Sequence, residues 1–145
     1  MALREKLRGK RVYFDANIFI YLIEGFLEIA PQLDAIRTSI LNAECTIFTA
    51  ELTLAEVLVA PFRSGNAELV TQYRNFIEAS GAFTLLPATR ETCIRASLYC
   101  AEFGMKLPDA IHMASAVGAG CDVFLSNDKG IRTPAGMEKV IIQEV

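Results

Sequence analysis

The sequence predicts an α/β protein in three layers, with helices on both faces of a mostly parallel central sheet. Short apolar, β-branched runs recur at residues 12–14, 46–49, 83–86 and 122–125. The stretches between them repeat their apolar residues at helical spacing. Strands that alternate with helices must pair in parallel through crossovers, which covers both sheet faces. The 145 residues, 52% of them hydrophobic, suit one domain over residues 1–145 with one sizeable core, and argue against disorder.

Arg4, Lys6, Arg8, Lys10 and Arg11 lead into the first strand. They read either as solvated charge flanking a strand or as a phosphate-attracting rim beside a site. Val12, Tyr13 and Phe14 begin a buried strand, and Asp15 then breaks the apolar run, with Asn17 two residues on. Both residue types favour helix caps. A carboxylate at the end of a first strand also lies where open α/β sheets place their ligands.

Helices are expected over about 18–29, with Ile18, Tyr21, Leu22 and Leu27 facing the core, and over about 31–43, with Leu33, Ile36, Ile40 and Leu41 inward. Gly25 weakens the first of these, and Pro31 suits the start of the second. After the second strand, Thr53 and Glu56 fit a capping box, T-x-x-E. Glu56 also has apolar neighbours, and a helical carboxylate there can point back toward Asp15. Pro61 and Ser64-Gly65-Asn66 are expected to end this helix. A helix over about 67–80 carries Leu69, Tyr73, Phe76 and Ile77 on one face, with Gly81 at its end.

Pro87 closes the third strand, and Thr89 caps a helix over about 90–103, with Cys93, Ala96, Tyr99, Cys100 and Phe103 inward. Pro108 then suits a helix start and puts Asp109 in the first turn, where an acid complements the helix dipole. His112 lies one turn on and reads as a core hydrogen-bonding residue. The fourth strand runs into Ser126-Asn127-Asp128-Lys129-Gly130, which is also ordinary turn chemistry. Residues 139–143 can add a last short strand.

Asp15, Glu56, Asp109 and Asp128 thus each fall at a strand end or in the first turns of a helix, and parallel crossovers bring such positions to one edge. Clustered carboxylates raise one another's pKa values unless a cation joins them. An all-oxygen set matches hard divalent ions such as Mg²⁺ or Mn²⁺. Such a site suits phosphodiester hydrolysis, where the metal polarises the phosphoryl group and activates water.

Other chemistries are less well served. Cys45, Cys93, Cys100 and Cys121 form no C-x-x-C pair, and His112 is the only histidine, which argues against zinc and for buried free thiols. No apolar run approaches the roughly 20 residues of a membrane span. Residues 1–6 lack the apolar core of a signal peptide, so a cytoplasmic protein is expected. The net charge of −3 does not advertise nucleic-acid binding, but charge placement decides that question.

From residue 12 to about 130 the chain resembles the PIN-domain ribonucleases, and most of all the VapC-type toxins of toxin–antitoxin modules. The resemblance rests on Val12-Tyr13-Phe14-Asp15-Ala16-Asn17, Thr53-Leu54-Ala55-Glu56-Val57-Leu58, Pro108-Asp109-Ala110-Ile111-His112-Met113-Ala114 and Phe124-Leu125-Ser126-Asn127-Asp128, in family order. Each motif is short; their order and spacing together are specific. The resemblance implies that Asp15, Glu56, Asp109 and Asp128 bind one or two Mg²⁺ or Mn²⁺ ions, with Asn17 and Thr53 as supporting polar residues. Ser126 stands where the family often has threonine, so a hydroxyl is kept. Glu51 is a competing acid, but Glu56 alone falls in the Thr-Leu-Ala-Glu motif. The resemblance also implies endonucleolytic cleavage of RNA to 3′-hydroxyl and 5′-phosphate ends, a homodimer, and a small cognate antitoxin that covers the site. Lys10, Arg11, Lys106, Lys129 and Arg132 flank the acid-bearing segments and are candidates to receive phosphates or plain surface charges.

Two rivals use the same residues. One is a non-catalytic PIN-like module that holds RNA or a protein without cleaving. The other is a phosphoryl-transfer protein, a receiver domain or a haloacid-dehalogenase-like phosphatase, with Asp15 as nucleophile. Such phosphatases usually carry a second Asp two residues on, where this chain has Asn17.

Overall fold

The computed structural model describes residues 2–145. All strand pairs of the five-stranded sheet are parallel, in the order β3-β2-β1-β4-β5. The strands are β1 (Arg11–Phe14), β2 (Thr46–Ala50), β3 (Phe83–Leu86), β4 (Val123–Ser126) and β5 (Glu138–Ile141). The helices are α1 (Leu3–Leu7), α2 (Ala16–Glu24), α3 (Ala30–Leu41), α4 (Glu51–Ser64), α5 (Ala67–Arg74), α6 (Arg90–Phe103) and α7 (Leu107–Gly118). The chain steps outward from β1 to β2 to β3, then returns to β4 on the other flank of β1. The crevice between the ends of β1 and β4 is therefore the topological switch point, where this kind of sheet binds its ligands.

Alternation along each strand divides the core. Val12 and Phe14 of β1 face one side, with Ile18, Phe19 and Leu22 of α2, Leu33 and Ile36 of α3, Val57 of α4 and Tyr73 of α5. Tyr13 points the other way, against Phe48, Phe124 and the α7 residues Met113 and Ala116. Ala96 of α6 packs on Ala110 and Ala114 of α7, where small side chains let the two helices approach closely. The result is the three-layer arrangement expected from the sequence.

Several boundaries differ from expectation, each for a local reason. The first part of the basic lead-in, with Arg4 and Lys6, folds into α1 because Leu3 and Leu7 are buried beneath it. Gly25, at φ 84°, stops α2 early, and Leu27 lies in a separate 3₁₀ turn, 93% exposed rather than in the core. Leu41 closes α3 and also points to solvent. Pro61 does not end α4; it is buried within the helix, which runs to a left-handed Gly65 at φ 69°. The helix expected over 67–80 divides into α5 and a π turn over Asn75–Ala79. Thr89 caps α6 as expected, by accepting the Thr92 N–H, but Cys93 and Phe103 on that helix are exposed. The last strand begins and ends earlier than 139–143.

Phe14 is the pivot of the larger core, with ring centroids 5.8 Å from Phe19 and 6.0 Å from Phe83. We expect Phe14→Ala to cost about 3–5 kcal/mol through lost burial and a cavity. Urea unfolding should show the loss as a lower midpoint at unchanged slope. A cost below about 1 kcal/mol would mean that this core closes over the gap.

Candidate functional site

β1 gives way to α2 at Asp15, which caps that helix and also lies at the switch point. Its Oδ1 accepts the Ala16 N–H at 2.8 Å, as a cap at the start of α2. Its Oδ2 accepts from the Ser126 hydroxyl at 2.6 Å and from Asn17 Nδ2 at 3.5 Å. Asp15 is only 8% exposed, so these donors replace much of the water that a carboxylate needs.

Ser126 joins the two halves of the site. Its hydroxyl oxygen accepts from the Asp128 backbone N–H at 3.0 Å and from Asn17 Nδ2 at 3.2 Å, while its proton goes to Asp15. Asn17 Oδ1 in turn accepts the Asn127 N–H at 3.2 Å. The two motifs, far apart in sequence, thus lock together across the switch point. Asp128 is further fixed by the Gly130 N–H, which donates to its Oδ1 at 2.9 Å. Lys139 of β5 straps the same loop by donating to the carbonyls of Lys129 (2.9 Å) and Ile131 (3.0 Å). Nothing in the sequence signalled that strap.

Thr53 is not a cap. α4 starts at Glu51, after Ala50, which gives no side-chain cap, so Thr53 lies inside the first turn and is buried. Thr49 Oγ1 donates to the Phe14 carbonyl at 2.9 Å and lies 2.7 Å from Thr53 Oγ1. Thr49 has one proton to give, so Thr53 donates to Thr49. The pair thereby braces the backbone just ahead of Asp15. Glu56 hydrogen-bonds through Oε1 to Nε2 of His112. Glu51, five residues earlier, is exposed and lies about 140° away around the helix.

Asp109 sits in the first turn of α7, as expected. Burial, then the charges of Asp15 and Asp128, hold its carboxyl above the ordinary value of 3.8; Glu56 adds to this and His112 opposes it. Asp15, Glu56 and Asp128 are thus all within electrostatic reach of Asp109. They do not form a ready-made cage: among the described residues, no group of three or more His, Cys, Asp or Glu side chains could hold a metal ion as it stands. The donor set is nevertheless all oxygen, with a net charge the protein leaves uncompensated at Asp109, and that chemistry fits a hard divalent cation.

The basic candidates separate into two groups. Lys10 and Arg11 lie at the opposite end of β1 from Asp15, about 13 Å of strand away at ~3.3 Å per residue, so they are no rim to this site. Lys10 pairs with Glu138 at 3.6 Å, and Arg11 donates to the Ala119 carbonyl and stacks over Phe48. Lys106 and Arg132, by contrast, line an open cleft of about 340 Å³ together with Asp109 and Asp128. Lys129 is exposed nearby and lies 3.8 Å from Glu144. Of the cysteines, Cys121 is buried and its thiol is pushed up to about 12, chiefly by burial, whereas Cys93 is exposed. Among the described residues, no helix is long and apolar enough to cross a membrane.

Sequence reading treated His112 as core alone. It is 1% exposed, yet it touches Glu56 on one side and the Tyr13 hydroxyl on the other, at 2.6 Å. The available signals were its place one turn after Asp109 and the position of Tyr13 two residues before Asp15.

The model of the PIN domain matches residues 12–136. No curated protein sequence matches the chain. Among solved structures, a toxin–antitoxin complex from Klebsiella pneumoniae superposes with a TM-score of 0.64 at 23% identity, covering 90% of this chain and 97% of that one. VapBC2 from Rickettsia felis, bound to a DNA fragment from its promoter, gives 0.68 at 13% identity, covering 90% and 98%. The sarcin–ricin-loop-cleaving toxin VapC20 of Mycobacterium tuberculosis gives 0.59 at 13% identity, covering 78% and 86%.

A raised Asp109 pKa has a definite consequence for stability. The folded protein binds this proton more tightly than the unfolded chain, so stability is greatest below the unfolded value of 3.8 and is lost as pH rises through the higher folded value. At neutral pH and without metal, Asp109→Asn should therefore melt at or above the wild-type temperature. Its stability should also fall less over that pH window. A clear drop in melting temperature in metal-free buffer would instead make Asp109 a structural cap of α7.

Proposed function

The chain belongs to the PIN domain family, and on that premise we propose that it is a metal-dependent endoribonuclease, the toxin of a toxin–antitoxin pair. The observation that carries the reading is the set of acids at the switch point, with Asp109 held above its ordinary range by burial and by Asp15 and Asp128. Asp15, Glu56, Asp109 and Asp128 would hold one or two Mg²⁺ or Mn²⁺ ions. When bound, such an ion polarises the phosphoryl oxygen and makes its water a nucleophile at neutral pH.

The chain's own residues supply orientation and charge. Ser126 and Asn17 keep Asp15 fixed by donating to Oδ2, and Thr49 and Thr53 hold the backbone before it. Lys106 and Arg132, in the cleft beside Asp109 and Asp128, receive the phosphates that flank the scissile bond. Lys129 adds exposed charge at the rim. Asp15 is a poor candidate nucleophile, because both its oxygens already accept hydrogen bonds and little of it is exposed, which weighs against the phosphoryl-transfer rival.

The partners follow from the same reading. The similar structures from Klebsiella pneumoniae and Rickettsia felis are toxin–antitoxin complexes, which supports a small cognate antitoxin here. We extend the proposal to a homodimer that acts on RNA in the cytoplasm. The engagement of Glu56 by His112, and the lack of a ready-made cage among the described residues, favour one second reading: a PIN-like module that binds RNA without cleaving it.

A cleavage assay on total RNA with Mg²⁺ or Mn²⁺, with and without chelator, separates these readings. The wild type should cleave only with metal. Asp15→Asn should lose at least about 100-fold in rate, because an amide is a poor ligand for a hard cation, and the lost activation of water is worth several kcal/mol. It should stay folded and bind RNA as well or better, since one negative charge is gone. Wild-type cleavage by this variant would move the site elsewhere, and binding without cleavage by both proteins would favour the module.

A further inference from the structure

Both ring nitrogens of His112 are engaged. Nδ1 lies 2.6 Å from the Tyr13 hydroxyl, and Nε2 hydrogen-bonds Glu56 Oε1. A neutral imidazole offers one donor and one acceptor, and a carboxylate only accepts. Nε2 therefore carries the proton and donates to Glu56, which leaves Nδ1 to accept from the Tyr13 O–H. Tyr13 suits that task. Its phenolic O–H is a donor at neutral pH, and the hydroxyl lies within hydrogen-bond distance of Nδ1. Its ring is also clamped, stacked on Phe124 at 5.1 Å and edge-on to His112 at 5.8 Å.

The hydrogen-bonded chain starts on β1, two residues before Asp15. It passes through α7, three residues after Asp109, and ends on Glu56 of α4. It links β1, which leads directly into Asp15, with the two helices that bear Asp109 and Glu56. We propose that His112 is a positioning residue that holds Glu56 at the acid-lined edge, with Tyr13 fixing the imidazole tautomer. This rests on the nuclease reading above. Glu56 is a long side chain, 36% exposed, that would otherwise sample several rotamers. The bond to His112 engages one oxygen, Oε1, and restricts the carboxylate to one region of the site. Outer hydrogen bonds of this kind are worth about 10–100-fold in metal affinity.

The chain has a single histidine, so its imidazole nitrogen resonances need no assignment. In mildly alkaline buffer the wild type should show Nε2 protonated and Nδ1 bare. Glu56→Gln should shift the Nε2 resonance. The opposite tautomer, or an Nε2 signal indifferent to Glu56→Gln, overturns the proposal without any variant of His112 having to fold.

Metal affinity gives the second readout. His112→Gln places an amide donor near the position of Nε2, whereas His112→Asn reaches only as far as Nδ1. In calorimetric titrations of folded, metal-free protein with Mn²⁺, the Gln variant should stay within about threefold of the wild type, and the Asn variant should lose about 10–100-fold. Equal affinity for the Asn variant and the wild type, while Glu56→Gln is weakened, overturns the positioning role alone. Undiminished affinity in Glu56→Gln overturns the nuclease reading of Glu56, and the positioning role with it.

Discussion

The hydrogen bond from the Ser126 hydroxyl to Asp15 Oδ2 joins the ends of the two strands that flank the switch point. Asp15 is nearly out of water, and an uncompensated buried carboxylate is costly enough to unfold a marginal domain. Its compensation is local and neutral: a backbone N–H, a hydroxyl and an amide. An arginine partner would have been stronger, but it would also have neutralised the charge on which a cation-binding role depends. The same hydroxyl accepts from the Asp128 N–H, so the second acid is placed by the group that stabilises the first. Placement of Asp128 and solvation of Asp15 are therefore one problem with one solution.

Asp109 shows where that economy stops. The parallel sheet sends the starts of α2, α4 and α7 toward the acid-bearing edge, and the positive ends of helix dipoles favour negative charge there. At Asp109 this help falls short, since burial and the neighbouring carboxylates still raise its pKa. The fold thus tolerates, at one position, a charge that it does not satisfy. Natural proteins accept such local conflicts chiefly at functional sites.

How much of this was legible in the sequence depends on the range of the interaction. The strands could be read because their apolar runs are short and β-branched, and the places of Asp15 and Asp128 because one interrupts such a run and the other closely follows one. Asp109 in the first turn of α7 followed from Pro108 alone. What could not be read was set by contacts across the fold. Lys10 and Arg11 precede the Asp15 motif closely in sequence, but a strand has direction, and β1 carries them to the far end of the sheet. Pro61 reads as a helix breaker, yet burial keeps it inside α4. The Lys139 strap joins loop and strand through backbone carbonyls, which no residue pattern encodes. Thr53 matched a capping motif at the right spacing, and lost that role only because the helix began three residues earlier.

His112 is the most instructive residue here, because the expectation of a core hydrogen-bonding histidine held, and its partners could not be named from the sequence. It is a buried histidine with satisfied hydrogen bonds, as the sequence predicts. But α7 carries Asp109 on one turn and His112 on the next, so the helix that places an acid at the edge also buries an imidazole just behind it. A buried ring with one nitrogen committed to Tyr13 has a single proton left to direct, and it directs it outward, to a carboxylate on another helix. Core and site are not separate layers here. The second core cluster, built on Tyr13 and Phe124, ends in the hydrogen bond that orients Glu56. Packing on that side of the sheet therefore bears on the site directly.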